Sequence, residues 1–235
     1  PWEAMITNTK DMTFVVALFL MGKYGRKNYL IRQKLHHLRQ QHMESEIRLL
    51  RNQLDPHVIF NNLNNLYSLS LANPEKLLPN LRRFRSVLHY FFTDSKLPEV
   101  PLAREVDMIR DYMELESLRF DEEARISLHT RGILPGVTIM PFILFSFVEY
   151  CFMHGSAART GEGWINVSAE CRDKRLLFRA SCSMSGEATE DPGVSVPGNL
   201  GALYRQMEFL YPERVAMEMD FTKERFEVSL DLYIG

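Results

Sequence analysis

From Tyr29 to Leu54 the apolar residues recur at steps of mostly three and four. Ile31, Leu35 and Leu38 are followed by Met43, Ile47, Leu50 and Leu54, and no proline or glycine interrupts them. That spacing predicts one long helix with a narrow apolar seam, its other faces carrying Arg, Gln, Glu and His. A seam so narrow and uncapped suits a two-stranded coiled coil; a lone surface helix is the other reading. Phe60, Leu63 and Leu66 carry the spacing onward past Pro56. At Ala72 to Lys76 the pattern breaks: Asn73 is a candidate cap, and Pro74 suits a first helical position. Glu75 to Thr93 predicts a second helix, with Leu77, Leu81, Phe84, Leu88 and Phe91 or Phe92 along one side. Two copies of such a hairpin would build a four-helix bundle.

Leu97 to Pro101 reads as a linker, and Leu102 to Phe120 as a third helix with Val106, Ile109, Tyr112 or Met113, and Leu115 or Glu116 in register. The period then changes. Arg125–His129, Trp164–Glu170 and Arg175–Ala180 read as strands, the first two alternating apolar and polar as half-buried strands do. Met140–Met153 is an apolar helix, and Ala216–Phe221 with Phe226–Ile234 forms a closing hairpin whose Phe226, Val228, Leu230, Leu232 and Ile234 share a face. The expected class is α+β: a long dimerising helical hairpin followed by an α/β sandwich. Three segments are expected: 1–28, 29–96 for the coiled coil and hairpin, and 97–235 for the linker helix and sandwich.

Composition narrows the function. The 235 residues are 46% hydrophobic and 25% charged, as in a globular chain, and the net charge of -2 gives no overall pull toward nucleic acid. Cys151, Cys171 and Cys182 form no CxxC pair, which argues against a disulfide framework or zinc site and for a reducing compartment. His36, His37 and His42 lie on the coiled-coil flank with no carboxylate or thiol completing a metal set. The chain opens on Pro1, read as the start of a fragment or processed chain. Met12 to Gly22 is an apolar run about half as long as the roughly 20 residues a spanning helix needs. It reads either as an amphipathic segment or as the end of a membrane helix, with Lys23, Arg26 and Lys27 marking the cytoplasmic side.

The stretch LDPHVIFNNLNNL, Leu54 to Leu66, carries the candidate chemistry. A proline inside a helix removes one backbone hydrogen bond, at a cost of about 3 kcal/mol. His57 stands beside that break, and Asn61 is one turn on, on the same face. An imidazole is a competent nucleophile near neutral pH, and a carboxamide one turn away can fix its tautomer.

This segment resembles the phosphoacceptor motif of the LytS/YehU-type sensor histidine kinases, close to QxxPHFLFNxLNxI. Gln53, Pro56, His57, Phe60, Asn61, Leu63 and Asn64 stand where that pattern puts them. Leu81–Phe92 resembles the family's second bundle helix. Val100–Phe120 resembles its linker helix, with Leu102, Glu105, Tyr112, Glu116, Arg119 and Phe120 in place. Met140–Gly155 resembles the helix that opens the nucleotide site, and Pro197–Arg214 the nucleotide lid and the helix after it. The resemblance covers about residues 29 to 235. It implies a homodimer with a Bergerat-type ATP-binding sandwich, at the cytoplasmic face of the inner membrane or cytoplasmic if the apolar run does not span. It also implies ATP and Mg2+ as cofactors, His57 as acceptor of the γ-phosphoryl group, Glu149 as the acid that helps activate it, and a response regulator as partner.

The resemblance weakens at the nucleotide. The family's opening helix reads near VENAxKHG; here Val148, Glu149, His154 and Gly155 match, Tyr150 replaces the metal-holding asparagine, and Met153 replaces the lysine. After Leu176-Leu177-Phe178 the adenine-reading acid or amide is missing, and Ala180, Ser181, Cys182 and Ser183 stand there. The lid GxGLxN becomes Pro197, Gly198, Asn199, Leu200, Gly201, Ala202, in which only Leu200 keeps its place. Two readings follow: an ATP-dependent histidine kinase, or a scaffold that dimerises and docks a regulator or partner kinase without binding ATP.

Overall fold

A computed structural model of the chain describes residues 56–120, 124–133, 135–157, 162–184 and 198–234, with helical positions 21, 23, 26, 27, 29, 30 and 32–34 before them. The chain divides into two units, Pro1–Gln53 and Leu54–Gly235. In the first, the described positions are exposed and helical, and Gln33 Nε2 donates to the Tyr29 hydroxyl one turn back at 3.0 Å. Most of the expected coiled-coil seam, and the run 12–22 apart from Met21, lie outside the described residues. Among the described residues, no helix is long and apolar enough to cross a membrane.

The second unit opens with helix α1 (Pro56–Ala72), which joins α2 (Pro74–Phe92) through Asn73. Pro74 takes the first turn of α2 as expected, but the Asn73 side chain makes no capping hydrogen bond. The sequence pattern placed one apolar stripe on each helix, and the structure divides it. On α1, Leu66 is buried and Ile59 packs beside it, while Phe60, Leu63, Tyr67 and Leu71 face out. On α2 the buried side is Asn80, Phe84, Val87 and Tyr90, and Leu81, expected on the same side as Phe84, is exposed.

A two-residue strand β1 (Val100–Pro101) leads into α3 (Leu102–Ser117), the linker helix of the sequence pattern. Val106, Ile109, Tyr112, Met113, Leu115 and Glu116 are all buried, which confirms the expected register. Then come β2 (Ala124–Arg131), β3 (Thr138–Ile139), α4 (Ile143–His154), β4 (Gly163–Arg172), β5 (Arg175–Ser183), α5 (Gly198–Leu210), β6 (Val215–Phe221) and β7 (Arg225–Tyr233). β1 and β3 pair antiparallel, an element two residues long that no periodicity could announce. The main sheet runs β2-β4-β5-β7-β6, parallel at β2–β4 and antiparallel elsewhere.

Alternation along the strands builds the core between this sheet and the helices. Ile165, Val167, Ala169 and Cys171 of β4, Leu176, Phe178, Ala180 and Cys182 of β5, and Phe226, Val228, Leu230 and Leu232 of β7 are buried against the helical layer. Phe147 of α4 lies 6.1 Å from Phe178, ring to ring. The opposite face carries polar pairs, among them Ser127 with Asn166 at 2.8 Å and Arg175 with Asp231 at 2.9 Å.

One fully buried carboxylate ties the hairpin to the sandwich. Phe142, at the N-terminus of α4, is in the left-handed region (φ 69°) and makes no side-chain cap. The helix amides behind it therefore need an acceptor from elsewhere. Glu105 of α3 supplies it: Oε1 accepts from the Leu144 N–H at 2.8 Å and the Phe145 N–H at 3.2 Å. Its Oε2 accepts from the Tyr90 hydroxyl of α2 at 2.8 Å. A carboxylate at a helix N-terminus is favoured by the dipole, yet burial outweighs these bonds and pushes the Glu105 carboxyl up to about 7.

A carboxyl raised in the folded state keeps a proton that the unfolded chain releases, so folding is favoured at the acid end of that window. Stability is expected to fall by roughly 3 kcal/mol as pH rises from about 4.5 to about 7 and then level off, on this group's account. Urea midpoints from pH 5 to pH 8 should show that slope in the wild type and lose it in Glu105→Gln. A variant that keeps the wild-type slope would show that another group sets it.

Candidate functional site

His57 and Asn61 stand one turn apart on α1, in its first two turns, with Pro56 as the first residue of the helix. The sequence pattern places Pro56 inside a continuous rod; residues 51–55 lie outside the described residues, so the bend is not part of the described structure. Proline at a helix start forfeits no intrahelical bond, because the first four N–H groups have no partner there.

The remaining candidates cluster on α4 and the start of α5. Glu149 is half-buried; burial first, then the charges of Glu116 and Glu149, hold the pKa of the nearby Tyr112 phenol up. Tyr150 is 8% exposed. Its ring lies 4.5 Å from His154, 4.6 Å from Phe226 and 6.3 Å from Phe221, centroid to centroid. Phe221 and Phe226 are themselves 4.8 Å apart. Four rings from α4 and the β6–β7 hairpin thus fill one space. Burial raises the Tyr150 pKa, with Cys182 and Cys151 adding to the shift, so the phenol is neutral at pH 7.

Gly155 follows α4 in an extended conformation, not a left-handed one, and its N–H donates to the Cys151 carbonyl at 2.9 Å. The glycine is required by close approach: a Cβ there would stand 2.5 Å from the Cys151 oxygen and 3.4 Å from Cys182. Cys151 and Cys182 are both free and fully buried, and the hydrogen bond between their thiols, with burial, drives the Cys151 pKa up. Beside them, Ser183 Oγ meets Ser156 Oγ at 2.5 Å and accepts from the Trp164 N–H at 2.9 Å. Ser181 Oγ makes a long bond to the Asn166 carbonyl at 3.5 Å. Gly198, Leu200 and Gly201 lie in the first turn of α5, with Leu200 buried; residues 185–197 are outside the described set.

These residues do not fit magnesium or an adenine in the manner the family resemblance implies. Magnesium takes hard oxygen ligands in tight octahedral geometry. The α4 positions in question offer a neutral, ring-packed phenol at Tyr150 and the exposed Met153 thioether. Where an adenine-reading carboxylate would stand, Cys182 is committed to Cys151, and the Ser183 hydroxyl is committed within the fold. The sequence pattern had marked the substitutions. It did not reveal Phe221 and Phe226 as partners of Tyr150, because alternation alone reads them as ordinary strand residues.

Comparison with known proteins agrees with the motif. The family model for histidine kinases matches residues 45–124. The sensor protein LytS of Staphylococcus haemolyticus is 24% identical over 196 residues, 79% of this chain and 34% of that protein. The sensor histidine kinase BtsS of Escherichia coli is 26% identical over 164 residues, 69% of this chain and 27% of its own length. This chain therefore spans about a third or less of these relatives. Among solved structures, the histidine kinase AdeS of Acinetobacter baumannii matches 85% of this chain and 98% of its own at 13% identity, with a TM-score of 0.40.

Replacing Tyr150 by asparagine should remove the centre of the ring cluster and lower stability by roughly 3 kcal/mol, as large-to-small core changes do. The change alone should not create nucleotide affinity, because Cys182 and residues 197–202 are unaltered. Denaturant midpoints and nucleotide titration of the purified variant check both parts. Tight binding of ATP by Tyr150→Asn would show that the ring was the sole obstacle.

Proposed function

The chain belongs to the LytS-type histidine kinases, and on that premise we propose that it signals in a two-component system, taking a phosphoryl group on His57 and passing it to an aspartate of a response regulator. The observation that carries this reading is the run from Gln53 to Asn64 with His57 beside Pro56 and Asn61 one turn on. In the transfer, an imidazole lone pair forms the P–N bond as the donor's P–O bond breaks, its electrons leaving with the donor. The regulator's carboxylate then forms a P–O bond, and the ring recovers its lone pair. Asn61 would fix the tautomer, and Glu149 would assist the acceptor. Such chemistry rests mainly on positioning and charge stabilisation.

A homodimer built on the hairpin is part of this reading. Phe60, Leu63, Tyr67 and Leu71 recur at three and four along α1 and are 46 to 71% exposed, an apolar row of the kind a second copy covers. A membrane-proximal position at the cytoplasmic face, and the absence of a nucleic-acid partner, are carried over from the sequence reading.

A second reading concerns the donor. In the first, the chain's own sandwich supplies ATP. The ring cluster on Tyr150 favours the alternative, in which the sandwich is a docking scaffold and another kinase phosphorylates His57 in trans.

Nucleotide titration of the wild-type chain, followed by melting temperature with and without magnesium, separates them. A ligand at 100 times its Kd stabilises the fold by about 2.7 kcal/mol. A magnesium-dependent rise assigns the donor to this chain. No rise at millimolar ATP, with His57 labelled by an active LytS-type kinase, assigns it to a partner. A chain labelled under neither condition overturns the proposal.

A further inference from the structure

The inward stripe of α1 is apolar except at its middle. Ile59 and Leu66 pack into the core, and between them, at the same helical azimuth, sits Asn62, 3% exposed. Its Nδ2 donates to Glu116 Oε1 at 3.0 Å across 54 residues of sequence. Glu116, in the last turn of α3, is itself 2% exposed. Its Oε2 accepts from Arg119 Nη1 at 2.6 Å, and the Arg119 guanidinium lies 5.9 Å over the Phe120 ring. A buried carboxylate is thus neutralised by one neighbour and aimed by another. Asn65, one turn beyond Asn62, has no such side-chain tie across to α3: its buried Nδ2 finds no acceptor among the described residues, and on Asn62 it is the Nδ2, not the Oδ1, that makes the bond to Glu116.

A single polar tie in an apolar interface selects one arrangement of the two helices. Apolar side chains tolerate a small rotation or slide, but a hydrogen bond between two buried groups does not, and buried polar residues are known to fix register in this way. Turning α1 about its axis would strand the Asn62 amide among apolar groups and leave Glu116 short of a donor. Position 57 lies five residues earlier on the same helix, about 7.5 Å along the axis and about 1.4 turns round it. Whatever fixes the azimuth of Asn62 therefore fixes that of position 57.

We propose that Asn62 is a positioning residue for phosphoryl transfer at His57, setting the rotation of the acceptor helix against the linker helix through the buried Asn62–Glu116–Arg119 tie. This rests on the reading of His57 as phosphoacceptor. Asn62 acts through the helix and not on the reacting atoms.

The test compares two routes to the same phosphohistidine in the full chain. Phosphoramidate, a small chemical donor, requires only that the imidazole be accessible. Enzymatic labelling, by the chain itself with Mg-ATP or by an active LytS-type kinase in trans, requires the acceptor helix to be aimed. Asn62→Leu removes the donor, and Asn62→Asp sets a carboxylate against Glu116. Both should slow enzymatic labelling of His57 at least tenfold and leave the phosphoramidate rate unchanged. Asn62→Asp combined with Glu116→Gln restores an amide–carboxylate pair with the donor reversed and should recover most of the rate. Asn65→Ala should match the wild type.

Wild-type enzymatic rates in Asn62→Leu and Asn62→Asp, equal losses by both routes, or failure of the exchanged pair to recover would each overturn the positioning role while leaving His57 as acceptor. Phosphoramidate labelling of the wild type without enzymatic labelling by either kinase also overturns it. A wild-type chain labelled at His57 by neither route overturns the acceptor reading itself.

Discussion

A carboxylate removed from water must be answered by the protein, and α3 carries two. Glu105, near its start, is held by the Tyr90 hydroxyl from α2 and by two amides at the head of α4. Glu116, near its end, is held by Asn62 from α1 and by Arg119. Leaving either unanswered would cost more than an ordinary buried contact contributes, because a desolvated charge loses its hydration and gains nothing in return. α3 is therefore fixed in relation to three other helices by directional bonds, while the apolar residues around it supply most of the burial energy without specifying direction.

That division of labour matters under the proposed phosphoryl transfer. α1, α2 and the helix that carries Glu149 and Tyr150 each make a directional bond to α3, while Phe91 of α2 also packs its ring against Phe142 and Phe145 at the head of α4. Apolar packing alone would permit small rotations of α1, and phosphoryl transfer, which depends on positioning, would feel them. At the far side of α4 the chain has taken a different course. Tyr150, His154, Phe221 and Phe226 occupy together the space beside the helix that opens the site, and Cys151 with Cys182 closes the corner next to it.

Much of this was legible in the sequence. The steps of three and four gave α3 and its register, the apolar run gave α4, and the alternation at Phe226 to Leu232 gave the innermost face of β7. The reading was coarser where one stripe could serve two faces. Leu81 fits the spacing of α2 but is exposed, and the row Phe60, Leu63 and Leu66 divides, Leu66 turning into the core while Phe60 and Leu63 are exposed, because a hairpin with apolar residues on two sides offers no periodicity to tell a core face from an outer one. Asn73 has the composition of a cap without making the bond. The β1–β3 pair is too short to carry a pattern. At the candidate site the motif identified His57 and Asn61 and marked Tyr150 as a departure. The strand rings Phe221 and Phe226 against Tyr150, and the roles of Asn62 and Glu105, depend on partners 15 to 76 residues away in sequence, which no local pattern encodes.

The central claim is that the imidazole next to Pro56 is where phosphoryl groups enter and leave. Mass-spectrometric mapping of acid-labile phosphate on the full chain, after incubation with an active LytS-type kinase and Mg-ATP, tests it most directly. The account predicts label on His57 and on no other of the chain's seven histidines, lost when a cognate receiver domain is added. Label on His154 or any other histidine, or none at all, would contradict it.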